Sequence, residues 1–198
     1  MATTPPTARE RLIQVASRLF YAEGIHAVGI DRVIAEAGVA KATLYAHFAC
    51  KEDLVAQYLE RQSAWWAAAV EQRVADLGGA PPSGILAAFD VLAERVADPG
   101  YRGCPFINAA AEFPRPGPVQ EQVGHHRKRV RDTFSKSIGA LGEAPWLVDV
   151  LVALYDGAMA SAYLDSDQGV VEPARRGAEV LLRAGSAARK PRSDRVAR

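Results

Sequence analysis

A chain of 198 residues with 49% hydrophobic and 24% charged side chains carries enough apolar surface for a sizeable core in one or two domains, which excludes a disordered polymer. The formal net charge of +1 excludes any argument for nucleic-acid binding from bulk basicity, yet charge is polarised: residues 1–51 hold six Lys or Arg against four Asp or Glu, and residues 137–174 hold six acids and no Lys or Arg. Cys50 and Cys104 alone make no disulfide framework, and with no apolar leader core or run of about 18 apolar residues the chain is expected in the cytoplasm, away from membranes.

Met1 to Pro6 reads as a short mobile arm. From Thr7 to Glu23, Leu12, Ala16, Leu19 and Phe20 mark the inward stripe of a helix that Gly24 closes. Arg9 and Arg11 near its start are candidates for DNA-backbone contact, against the plainer reading of solvated arginines. Next, Val33, Ile34 and Ala37 share one face of a short helix, with Asp31 expected to cap its start and Gly38 to end it in a left-handed conformation. Val39 then plugs a tight turn, and Lys41 to Phe48 reads as a second helix whose Leu44 and Phe48 point inward, leaving Lys41, Thr43, Tyr45 and His47 outward. Two helices, a glycine turn and an outward face of cationic, hydroxyl and aromatic groups describe a helix-turn-helix whose second helix suits the major groove. The competing reading is an ordinary αα-corner.

Glu52 to Leu77 is expected as one long helix carrying Trp65 and Trp66 about 100 degrees apart. Gly78 to Gly84 breaks the pattern, and Ile85, Phe89, Leu92 and Val96 form the next buried stripe. A short helix near Phe106 to Phe113 follows, then a helix from Val119 to Ala140 containing HHRKRVR, where adjacent His125 and His126 diverge too far to share a metal. Two last helices are expected from Pro145 to about Asp165 and from Glu172 to Ser186, and the basic tail from residue 188 is expected to be disordered.

The run AGVAKATLYAHFACKEDL resembles, nearly residue for residue, the DNA-binding signature of the tetracycline-repressor (TetR/AcrR) family, in which alanine-glycine-valine, threonine-leucine-tyrosine, histidine-phenylalanine and lysine-glutamate recur at this spacing. The resemblance covers about residues 8 to 55. It implies an all-α fold of about nine helices, with a helix-turn-helix domain over residues 1–52 and a ligand-binding and dimerisation domain over 53–187. It also implies a homodimeric regulator, usually a repressor, released from a double-stranded operator by a small molecule. Departures are Val28, Gly29 and Ala40 at positions where the family commonly has hydroxyls; an Ala in place of a capping Ser removes about 1 kcal/mol of helix stability and one phosphate ligand.

DNA contact is therefore expected from Lys41, Ala42, Thr43, Tyr45, His47 and Lys51. A small apolar or amphipathic effector is expected among Trp65, Trp66, Phe89, Phe106, Asn108, Phe113, His126, Tyr155 and Met159, an aromatic lining with a few polar groups. The homodimer interface is expected from Leu147, Leu151, Leu154, Ala158, Ala178, Leu181 and Leu182 on the last two helices. No catalytic grouping, metal motif or cofactor is expected. The alternative is a helical ligand-binding protein or enzyme that keeps the fold without DNA binding. Cys50, beside Lys51 at a helix start, is placed where a thiol pKa is lowered, which makes it a candidate redox sensor against a passive small residue.

Overall fold

The computed structural model describes residues 5–79, 82–139 and 145–187, so the tail from 188 to 198 and the first four residues of the arm lie outside the described residues. The chain is all-α, with nine α-helices among those residues: α1 Ala8–Glu23, α2 Ile30–Ala37, α3 Lys41–His47, α4 Lys51–Asp76, α5 Ser83–Val96, α6 Pro105–Glu112, α7 Pro118–Ile138, α8 Pro145–Leu164 and α9 Val171–Ala187. Turn chemistry sets most of the boundaries. Thr7 and Glu10 close a capping box at the start of α1, and Pro105 occupies the first turn of α6, where its missing N–H is no loss.

The described residues form two compact units, those within 5–66 and 102–127, and those within 67–101 and 128–187. In the first, Leu12, Leu19, Phe20, Val33, Leu44, Phe48, Leu54, Tyr58 and Leu59 build a core that also takes Phe106, Ala109 and Val119 from α6 and α7. Burying one such side chain is worth about 1.5–3 kcal/mol, so this cluster is the main support of the short helices α2 and α3, too brief to persist alone.

In the second unit α5 packs against α8 and α9. Tyr155 meets Phe89 and Phe134 edge-on at 5.4 and 5.8 Å, and Arg175 bridges Asp90 and Glu179 at 2.6 Å each. The small residues of α9 serve this packing: an added Cβ at Gly177 or Gly185 would lie 3.5 Å from Leu154 or 3.2 Å from Leu147. Leu147, Leu151, Ala158, Ala178 and Leu182, expected between two chains, are thus buried within one, and Leu154 and Leu181 are half-buried. The apolar surface left outward is a different stripe, Trp146, Val150, Ala153 and Gly157 on α8 with Val180 on α9.

Trp146–Leu164 is 19 residues and apolar enough to cross a bilayer by length and composition, contrary to the expectation that no run approaches that size. Its apolarity is accounted for by the stripe buried against its neighbours together with the outward one, and Asp149 and Asp156 interrupt it.

α5 and α7 approach closely at Gly84, where an added Cβ would stand 2.3 Å from Ser137 Oγ and 3.5 Å from Thr133 Cγ2. Ser137 Oγ donates to Thr133 O at 2.8 Å and is buried, so it yields only by giving up that bond. Gly84→Ala is expected to destabilise the chain by about 1–3 kcal/mol, less the gain of up to about 1 kcal/mol in helix propensity. Adding Ser137→Ala should restore most of the loss in urea melts; additivity of the two changes would refute the clash.

Candidate nucleic-acid interface

The reader is built from α2, one glycine and α3. Gly38 sits at φ 62°, where a side chain is strained; its N–H reaches Ala35 O and Ile34 O, and the N–H of Val39 reaches Ile34 O at 3.3 Å. This C-cap turns the chain sharply enough for Leu44, fully buried, and Phe48 to seat α3 on the core. Their inward registry fixes the opposite face: Lys41, Ala42, Tyr45, Ala46 and His47 are exposed and Thr43 is half-buried, with the Tyr45 side chain 50% exposed. Neither α2 nor α3 has a side-chain N-cap, because Gly29 and Ala40 hold those places. Asp31 is one residue inside α2 and does not cap it. Its carboxylate instead accepts from Lys41 Nζ at 3.0 Å, and that bond, then the opposite charge, raises the lysine pKa.

The other cations near the reader are also held by the protein. Lys51, expected as a phosphate anchor, donates to Val28 O at 2.8 Å and stands 5.8 Å over the Phe20 ring; partial burial lowers its pKa. Arg11 donates to Ala37 O and Pro6 O at 3.1 and 3.0 Å, and Arg9 pairs with Gln57 and lies over Phe48. Arg18 and Arg32 join Glu36, and Arg32 also Glu23, across α1 and α2. Cys50 departs from expectation as well. Partial burial pushes its thiol pKa up, and the hydrogen bond from the Asp53 backbone, which lowers it, is outweighed once Glu52 and the Asp53 charge are added, while Lys51 turns its charge to Val28 O. The carboxylate of Asp53 also takes the Ala49 and Cys50 amides at 3.0 and 3.3 Å, so a carboxylate rather than a cation stands beside the thiol.

The expected effector residues fall into both units. In the first, His126 is buried, stacked on Phe106 with ring centroids 3.7 Å apart, edge-on to Trp66 at 5.4 Å and 3.1 Å from Ser63 Oγ. Trp65, by contrast, is exposed. Asn108 is exposed and donates to Arg102 O at 3.0 Å, within the segment that leads into α6, and Phe113 stacks on His26 at 4.9 Å, at the join between α6 and the loop after α1. In the second unit Phe89, Tyr155 and Met159 are buried, and Met159 O accepts from Tyr101 at 2.9 Å.

That join was not foreseen. Glu112, at the end of α6, accepts from the Ile25 amide at 3.0 Å, the His26 amide at 2.5 Å and His26 Nδ1 at 2.9 Å. At the other end of α6, Tyr21 donates to Gly103 O at 3.1 Å and accepts from the Arg102 amide at 2.9 Å. The partners are more than 80 residues apart in sequence and share no periodic signal, so nothing in a helical pattern announces them.

Comparison with known proteins accords with this geometry. The sequence profile described as "Bacterial regulatory proteins, tetR family" matches residues 12–58, the segment that holds α2 and α3. A TetR-family transcriptional regulator from Streptomyces coelicolor is 40% identical over 90% of this chain and 96% of that one, with a TM-score of 0.80. A second structure, a TetR-type regulator from Streptomyces avermitilis, is 25% identical over 91% of this chain and 98% of that one, with a TM-score of 0.75. The transcriptional activator FasR of Mycolicibacterium smegmatis is 42% identical over 53 residues, 27% of this chain and 24% of FasR. The chain thus spans about a quarter of the length of the curated relatives it matches. Identity of 40% across nearly the whole of both chains, with the profile on the reader, places this chain in the TetR family of bacterial transcriptional regulators.

Proposed function

We propose that the chain is a ligand-responsive repressor that binds a near-palindromic operator as a homodimer and leaves it when a small apolar or amphipathic effector binds. The observation that carries the reading is the outward face of α3, where Lys41, Thr43, Tyr45 and His47 offer phosphate and base-edge contacts on a helix held rigidly from behind by Leu44 and Phe48. A dimer would place two such helices on major-groove segments about 34–36 Å apart and exclude other proteins from the DNA it covers. The outward stripe of Trp146, Val150, Ala153, Gly157 and Val180 is the surface proposed for the second chain. Within the first unit, Trp66, Phe106 and His126 with Ser63 are the proposed effector contacts. DNA selects one separation of the two readers and the effector another, so affinity falls by the difference in effector binding to the two states. On this reading the protein works in the cytoplasm by binding alone, with no catalytic step.

The test is fluorescence anisotropy with the duplex upstream of the chain's own gene and a shuffled duplex, across salt. Retention of the upstream duplex is expected. Lys41→Ala should weaken binding and reduce the slope of log affinity against log salt by at most about 0.9 per reader, while Tyr45→Ala should narrow the preference for the upstream duplex over the shuffled one. A wild-type protein that retains no duplex even at low salt ends the proposal.

A further inference from the structure

We propose that Asp31 acts as an internal counter-ion to Lys41 and so sets how strictly the reader separates its operator from other DNA. The inference rests on the reading of α3 as the DNA-facing helix. Every Lys and Arg between residues 5 and 51 has a partner within the protein: Arg9, Arg11 and Lys51 with neutral groups, Arg18 and Arg32 with the Glu23 and Glu36 network, and Lys41 with Asp31. Of these pairs, the last is the one that lies on α3. The Asp31 side chain is 82% exposed and that of Lys41 62% exposed, so both charges stand in water at the reader's surface.

Placement makes the pairing consequential. Lys41 is the first residue of α3, at the positive end of the helix dipole and with no side-chain cap from Ala40, where an anion is favoured and a lysine is not. Asp31 supplies that anion from the neighbouring helix. When any duplex arrives, a phosphate must take Asp31's place on the ammonium and then lies beside a carboxylate. On an unrelated duplex, whose phosphates are not seated closely enough on α3 to displace the carboxylate, the electrostatic gain at this point is therefore damped most. Base-edge contacts from Thr43, Tyr45 and His47 are not damped in that way, so the share of affinity that depends on sequence rises. An exposed pair of this kind is held weakly, which lets a well-placed operator phosphate displace it.

Asp31→Asn keeps the size of the side chain and an acceptor oxygen but removes the charge. The experiment measures wild type and Asp31→Asn on two duplexes over a salt series: the tightest sequence that wild type selects from a random library, and an unrelated sequence of equal length. We expect about fivefold tighter binding of the unrelated duplex, with a steeper salt dependence, and a smaller change on the selected duplex. In a Lys41→Gln background the effect of Asp31→Asn should shrink to less than twofold, since the cation it works through is gone. Unchanged affinity for the unrelated duplex, an equal rise on both duplexes, or a full effect that persists with Lys41→Gln would each overturn the inference. Circular dichroism controls for folding, and should Asp31→Asn not fold, Asp31→Ser carries the same measurement. Failure of wild type and variant alike to bind any duplex would instead strike the DNA-binding reading itself.

Discussion

Replacing Val150 and Val180 together by aspartate is expected to leave the folded chain intact and to abolish the self-association proposed for it. The argument is one of address. Both side chains face outward in the single chain, 41% and 63% exposed, and aspartates there meet water if no partner covers them. In a two-fold assembly each substitution counts twice, so four charges would enter one apolar contact, with a desolvation penalty of several kcal/mol per uncompensated ion. Analytical ultracentrifugation at micromolar concentration should then report a monomer, with a thermal midpoint within a few degrees of wild type. Duplex affinity should fall at least tenfold, because the two half-sites no longer bind as one unit. Leu151→Asp supplies the contrast. Leu151 is fully buried in the chain's own core, and its replacement should unfold the second unit rather than separate two folded chains. A dimer that survives the double aspartate would place the interface elsewhere.

The same pair of helices shows why some of the structure was legible in the sequence and some was not. Periodicity marks which residues avoid water, and where the expected helix ends fall on described residues they lie within about three residues of the observed ones. Leu44 and Phe48 were read correctly as the inward face of α3, because a seven-residue helix on one core has a single apolar side. α8 has apolar residues around most of its circumference, and periodicity does not say which side meets its own chain and which a second one. Leu147, Leu151 and Ala158, expected between two chains, are buried in one, and Trp146 and Val150 are the exposed ones. Adjacent histidines divide likewise: His126 is buried against Phe106 and Trp66, and His125 is exposed, as a step of 100 degrees between neighbours requires. Cations were the least legible. Where Lys51 and Arg11 send their charges depends on carbonyls of Val28, Ala37 and Pro6, groups that every residue possesses and no pattern distinguishes.

Glu112→Ala is expected to destabilise the first unit by about 1–3 kcal/mol at neutral pH, and the loss should shrink in acid. The Glu112 carboxylate serves two backbone amides and an imidazole on the loop that leads from α1 into α2, so its removal leaves the part-buried Ile25 N–H without an acceptor. The exposed His26 amide can turn to water, which keeps the estimate near one lost bond rather than three. Burial alone would raise the Glu112 pKa, but the amides of Ile25 and His26 and the His26 side chain outweigh it and hold the carboxyl below its ordinary value. A folded-state pKa that is depressed means stability present above the unfolded-state value, near 4.3, and lost as pH falls through the folded value. Wild type and Glu112→Ala should therefore differ fully in urea melts at pH 7 and differ less below about pH 4, the gap falling as the carboxyl protonates toward the one left by a single neutral carbonyl acceptor. Glu112→Gln, with one carbonyl oxygen for two amides, should fall between them at pH 7. Because Ile25 and His26 lie in the short loop that leads into α2, the loosened loop should also lower duplex affinity in parallel with stability. A gap between wild type and Glu112→Ala that stays constant from pH 7 down to pH 3 would show that the carboxylate charge plays no part in the join, and no gap at pH 7 would show that the join contributes nothing to the fold.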